Sequence, residues 1–178
     1  MWFSRRWAPV ILLGMAWGTA QGAEHPDLSG QWRLNAEMSQ NLVSKIHAAT
    51  GGQDGRSDVE RTRAREALLA LARAGETLEI QQRADEFQIA YANDDVQIFY
   101  PGRQHVRERS GIKVQVSPRW EADALVIEQG FEGGAKGVEN YSLIDGGARL
   151  VILARLESKE LKEPLVARMV YDRVAPRP

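Results

Sequence analysis

The chain has 178 residues, 43% of them hydrophobic and 26% charged, with a formal net charge of −1 and no cysteine. That length suits one domain with a self-sufficient core, and the missing cysteine excludes disulfides and a cysteine-linked lipoprotein anchor. The near-neutral charge excludes the broad basic surface that a nucleic-acid partner requires.

The first predicted element is a leader. Arg5 and Arg6 form a basic start, Trp7 to Trp17 an apolar run too short to span a bilayer, and Ala20-Gln21-Gly22 a small-residue cleavage site, so a cut is expected before Ala23. Ala8-Pro9 stands after Ser4-Arg5-Arg6 where a twin-arginine signal prefers apolar residues, which favours the ordinary secretory route. The apolar run stops at Thr19-Ala20-Gln21 and Glu24-His25-Pro26-Asp27 follows, which argues against stable membrane insertion. The expectation is a signal peptide over residues 1–22, a periplasmic or secreted location, and a single domain over 23–178. Cleavage removes two arginines and no acid, taking the net charge from −1 to −3.

The mature chain opens on Leu28-Ser29-Gly30-Gln31-Trp32-Arg33-Leu34-Asn35, in which Leu28, Gly30, Trp32 and Leu34 share one face of a strand. A glycine two residues before a tryptophan admits another chain closely while the indole covers the end of a core. The period then changes to 3.6. Met38, Leu42, Val43 and Ile46 make an apolar helical stripe, with Asn35 as candidate N-cap and Gly51-Gly52 as the stop. Ser57-Asp58-Val59-Glu60 has capping-box spacing and opens a second helix to Ala74, whose apolar face is Ala64, Ala67, Leu68, Leu71 and Ala72 and whose C′ residue is Gly75. The arginines of that helix read as a solvated face. The two helices form a helix-turn-helix over about residues 36–75.

From Glu76 onward the pattern is β. Strands are predicted near Thr77–Arg83, Glu86–Tyr91, Val96–Tyr100, Gln104–Arg109, Ile112–Ser117, Ala124–Phe131, Lys136–Ile144, Ala148–Glu157 and Leu165–Arg173. Turn formers separate them: Ala84-Asp85, Asn93-Asp94, Pro101-Gly102, Ser110-Gly111, Ala122-Asp123, Gly133-Gly134 and Asp145-Gly146-Gly147. Short connections make neighbours antiparallel, and about ten strands tend to curl and close. The fold class is mainly β, an antiparallel up-and-down β-barrel with a helix-turn-helix after its first strand.

The Gly-x-Trp strand Gly30-Gln31-Trp32-Arg33-Leu34, the helix pair, Arg119-Trp120-Glu121, and the closing Tyr171-Asp172-Arg173-Val174 together resemble the calycin superfamily, the lipocalins and especially the fatty-acid-binding proteins. The order of elements matches over nearly all the mature chain. The resemblance implies a barrel interior holding a fatty acid or similar lipid, with the helices as a lid, in an exported bacterial relative. In that family an inward Arg two residues before the Tyr of the last strand helps to hold a carboxylate; here Met169 stands there, and Arg168 points outward if Tyr171 points in.

Alternation names Phe87, Ile89, Tyr91, Val126, Tyr141, Ile152, Met169 and Tyr171 as inward, ligand-lining candidates, with Trp32 closing the opposite end from the lid. Arg103, His105, Arg107 and Arg109 share one strand face. Inside a barrel that face would be an anion or head-group site, but desolvating several unpaired cations is costly, so an outward solvated face is expected. Catalysis finds little footing. There is no Gly-x-Ser-x-Gly elbow, and His25, His47 and His105 lack metal-ligand spacing. Asp94-Asp95 reads as a turn, and Gly130-Phe131-Glu132-Gly133-Gly134 lacks the strand-to-helix context of a phosphate loop. The sequence therefore points to a non-enzymatic barrel, without metal or cofactor, that binds a small apolar or amphipathic ligand. A solidly packed barrel serving as an interaction module is the alternative, and an enzyme on a lipid-like substrate would need Arg107, His105 or Tyr141 to converge inside.

Overall fold

The structure is a computed structural model and describes residues 25–50, 75–92, 95–109, 112–132, 134–159 and 161–175. The leader, its cleavage site and the capping-box helix fall outside the described residues.

Among the described residues ten antiparallel strands form one sheet, curled into a half-barrel with one short helix after the first strand: β1 (Gly30–Leu34), α1 (Leu42–Thr50), β2 (Thr77–Gln82), β3 (Phe87–Tyr91), β4 (Val96–Phe99), β5 (His105–Arg109), β6 (Ile112–Glu121), β7 (Ala124–Phe131), β8 (Lys136–Ile144), β9 (Arg149–Glu157) and β10 (Leu165–Arg173). Each strand pairs with its sequence neighbour except at two places. β1 and β10 join the chain's two ends, while β4 and β5 carry no backbone ladder between them and form the edges. This is the mainly β, antiparallel up-and-down architecture that the sequence predicts, and the turn at Pro101-Gly102 joins two strands with no ladder between them.

One face alternates into the core because the register keeps parity from strand to strand. Trp32 sits opposite Leu78, Leu78 opposite Tyr91, Tyr141 opposite Ile152, and Ile152 opposite Met169. Leu28, Trp32, Ile80, Phe87, Ile89, Phe99, Leu125, Ile127, Tyr141 and Tyr171 are buried to 1% exposure or less. The other parity mixes charged residues, as with Arg119 bridging Glu121 and Glu128, with exposed apolar ones such as Val96, Ile98, Val106, Leu153 and Val166.

β10 is longer than β1, so part of its edge would be left unpaired. Residues 35–45 fill that gap. Asn35 N and Gln40 N donate to the carbonyls of Val170 and Arg168, both at 2.8 Å, and Ser39 Oγ accepts from Val170 N at 2.8 Å while donating to Val170 O at 3.1 Å. Lys45 Nζ donates to Val166 O. This use of the segment delays the helix. Asn35 Oδ1 accepts only from Met38 N, in a turn, and the cap of α1 is Asn41, whose Oδ1 accepts from Ser44 N at 2.9 Å. The buried stripe becomes Leu42, Ile46 and Thr50, leaving Met38 and Val43 exposed.

Opposite α1 the half-barrel is closed. The Trp32 Nε1 donates to Leu28 O, and Arg173 lies with its guanidinium carbon 4.2 Å from the indole centre. Arg173 also donates to Ser29 O and Gly147 O, at 2.7 and 2.9 Å. Gly30 adopts φ +143°, a backbone conformation that L side chains rarely adopt and that calls for glycine, and a Cβ there would stand 2.8 Å from the Arg173 guanidinium.

Candidate ligand-binding interior

Seven of the eight inward candidates lie on the inner face: Phe87, Ile89, Tyr91, Tyr141, Ile152, Met169 and Tyr171. Val126 does not. It is buried, but it shares parity with Glu128, pairs with Arg119 on the outer face, and stands between the core residues Leu125 and Ile127. The run Leu125-Val126-Ile127 has no alternation, so the parity is fixed only by pairing with Tyr141 and Glu139.

The basic strand corrects a second expectation. His105 pairs with Val116 and Arg107 with Val114, both core residues, so these two side chains face inward. Arg103 precedes β5 and is exposed, stacked 6.0 Å from the Tyr100 ring, and the Arg109 side chain lies outside what is described. Arg107 is accommodated because amide carbonyls converge on it. Its two terminal nitrogens donate to Gln97 Oε1 on β4, at 2.5 Å, and to Gln129 Oε1 on β7, at 2.8 Å, and its guanidinium lies over the Phe99 ring. The Gln97 contact spans the two free edges, so a side chain supplies there what the backbone ladder does not.

A second polar group lies deeper. Tyr141 Oη donates to Glu139 Oε2 at 3.0 Å and meets Tyr91 Oη at 3.4 Å across the interior. Glu139, Gln129 and Gln97 are 5 to 7% exposed. Burial and the Glu139 carboxylate push the Tyr141 hydroxyl well above the ordinary phenol range, and the same two causes raise Tyr171, whose Oη donates to Gly75 O. The sequence signal for this group was the odd parity of Tyr141 extended back to Glu139.

A cavity of about 360 Å³ opens beside α1, lined by Leu34, Ala36, Ser39, Leu42, Gly75 and Met169 among others. Leu34 and Met169 belong to the inner face, so this hollow reaches the interior. Another, of about 520 Å³, lies between α1 and the stretch from Leu161 to Val166. Among the described residues no group of acids and histidines is placed to hold a metal, and no helix is long and apolar enough to cross a membrane. The described part of the interior offers apolar walls, hydroxyls, amides, an imidazole, a carboxyl group and a guanidinium.

No known family's sequence profile matches the chain, and no curated protein matches it either. Solved structures do. A secretory abundant heat soluble protein from Ramazzottius varieornatus aligns with TM-score 0.54 at 12% identity, over 82% of this chain and 94% of its own. A fatty-acid-binding protein from Drosophila melanogaster brain gives 0.52 at 14%, covering 82% and 99%. A luciferase domain from the dinoflagellate Lingulodinium polyedrum gives 0.53 at 13%, over 89% of this chain and 48% of that one. At such identities the likeness is one of fold, consistent with a calycin-like architecture, and that fold houses a named fatty-acid binder and a named enzyme alike.

Proposed function

We propose that the protein is an exported half-barrel that takes up a small hydrophobic or amphipathic molecule, fatty-acid-like or lipid-like in build, at the α1 end. The observation that carries this is the 360 Å³ cavity whose lining includes the inner-face residues Leu34 and Met169. Its volume falls in the range of small-molecule pockets. The tail would lie along Ile152, Met169 and Tyr171, toward Phe87, Ile89, Tyr91 and Tyr141, with Trp32 and Arg173 sealing the far end and α1 covering the near one. Burying a chain of a dozen methylenes contributes on the order of 10 kcal/mol before ordering costs, so binding needs no ionic clamp at Met169. The fatty-acid binder among the fold's relatives supports the reading. Residues 1–22 would be removed as a signal peptide, which places the protein in a periplasm or outside the cell.

One observation favours the packed-module alternative. Tyr141 meets both Phe87, at 6.4 Å between ring centres, and Tyr91 across the interior, so opposite walls touch below the cavity. Native mass spectrometry of protein purified from its own source without detergent separates the two. A stoichiometric apolar adduct, extractable by solvent and lost in Met169→Arg, supports the binding reading. A clean apo mass with no uptake from a lipid mixture supports the packed one. N-terminal sequencing of the same sample tests export, with Ala23 as the expected first residue.

A further inference from the structure

We propose that the interior is charge-matched by its own residues and therefore selects a neutral amphiphile, ending in a hydroxyl or an amide, over a carboxylate; this rests on the binding reading above. The described inner face carries the Arg107 guanidinium and the buried Glu139 carboxylate. Asp95, half-buried where β4 begins, accepts from Gln97 Nε2 at 3.2 Å and adds a second acid near the edge that Arg107 bridges. His105, also inward, is half-buried, and its Nδ1 is buried without a hydrogen-bond partner. Both terminal nitrogens of Arg107 that reach Gln97 and Gln129 already donate to neutral carbonyls.

The register shows how a ligand head would meet these groups. Tyr141, Ile152 and Met169 stand side by side on β8, β9 and β10, and Glu139, Ala154 and Ala167 form the adjacent row. From the Met169 cavity to Tyr141 is two strand spacings, roughly 10 Å, and the row leading to Glu139 crosses two alanines, the smallest side chains of that wall. A hydroxyl arriving there can donate to the Glu139 carboxylate and accept from a tyrosine, satisfying both of its hydrogen-bonding roles. A carboxylate arriving there sets a second anion beside the first in a medium of low dielectric. The same tail is therefore expected to bind or not according to its head.

Isothermal titration at pH 7.5 with 1-dodecanol, lauramide and sodium laurate, which share chain length, tests this on the purified protein. The alcohol and amide are expected to bind at least tenfold more tightly than laurate. Glu139→Gln keeps the side chain's size and leaves the guanidinium uncompensated, so laurate should gain at least tenfold while dodecanol changes little; near-UV circular dichroism confirms that the variant is folded. Laurate binding to the wild-type protein as tightly as the alcohol overturns the proposal and leaves the binding reading intact, and this comparison needs no variant. Failure of all three probes to bind overturns the binding reading and the proposal together.

Discussion

Arg107 on β5 donates to Gln97 on β4, joining by side chains the two strand edges that share no backbone ladder. The half-barrel thus has a seam that a guanidinium spans.

Arg107→Met should loosen that seam. Removing a buried charged donor leaves Gln97 and Gln129 with unsatisfied carbonyls, at an expected cost of about 1–3 kcal/mol. Hydrogen exchange should locate the effect, with amides of β4 and β5 exchanging faster while those of β8 and β9 hold. Uniform acceleration across all ten strands would show that Arg107 supports the whole fold and not the seam.

The closed end makes a second prediction. Gly30→Ala forces a Cβ toward the Arg173 guanidinium at a backbone angle that L residues rarely adopt, and should cost on the order of 1–3 kcal/mol in urea unfolding. Arg173→Lys should not recover the wild-type midpoint, because a lysine cannot stack on Trp32 and reach the Ser29 and Gly147 carbonyls together. A lysine variant as stable as the parent contradicts this account of the end.

The buried tyrosines set an alkaline limit. Tyr141 and Tyr171 are raised above the ordinary phenol value of about 10, so the unfolded chain releases those protons first and binds fewer of them than the native state. Their stabilisation is complete below pH 10 and is lost as the pH climbs above it, by up to about 1.4 kcal/mol per pH unit for each group. Tyrosinate absorbance should show both ionising only as the fold is lost, and Tyr171→Phe should flatten the fall. A native state that titrates all four tyrosines near pH 10 would contradict their placement.

Much of this fold was legible in sequence, and the parts that were not share a cause. Ala124–Phe131, Lys136–Ile144 and Leu165–Arg173 have the bounds that alternation and turn residues assigned, because these cues are local. Val126 was misplaced because three consecutive apolar residues carry no parity. Arg107 was expected outside because the cost of burying a cation is local, whereas the amides that receive it lie 10 and 22 residues away. Asn35 was read as a helix cap because its competing role, on the β10 edge, involves Val170 and Asp172 from the chain's other end. The pairing of Trp32 with Arg173 escaped notice for the same reason: neither residue announces the other.

In the proposed function a ligand enters beside α1 and lies against Met169. Methyl-labelled methionine reports it directly. Of four methionines, Met38 is 39% exposed on the outside and Met169 is 2% exposed at the cavity, and Leu substitutions assign both signals. Titration with 1-dodecanol should shift the Met169 methyl and give it contacts to the ligand chain, while Met38 stays in place. An unmoved Met169 signal at saturating ligand, or a shift at Met38 alone, would contradict the account.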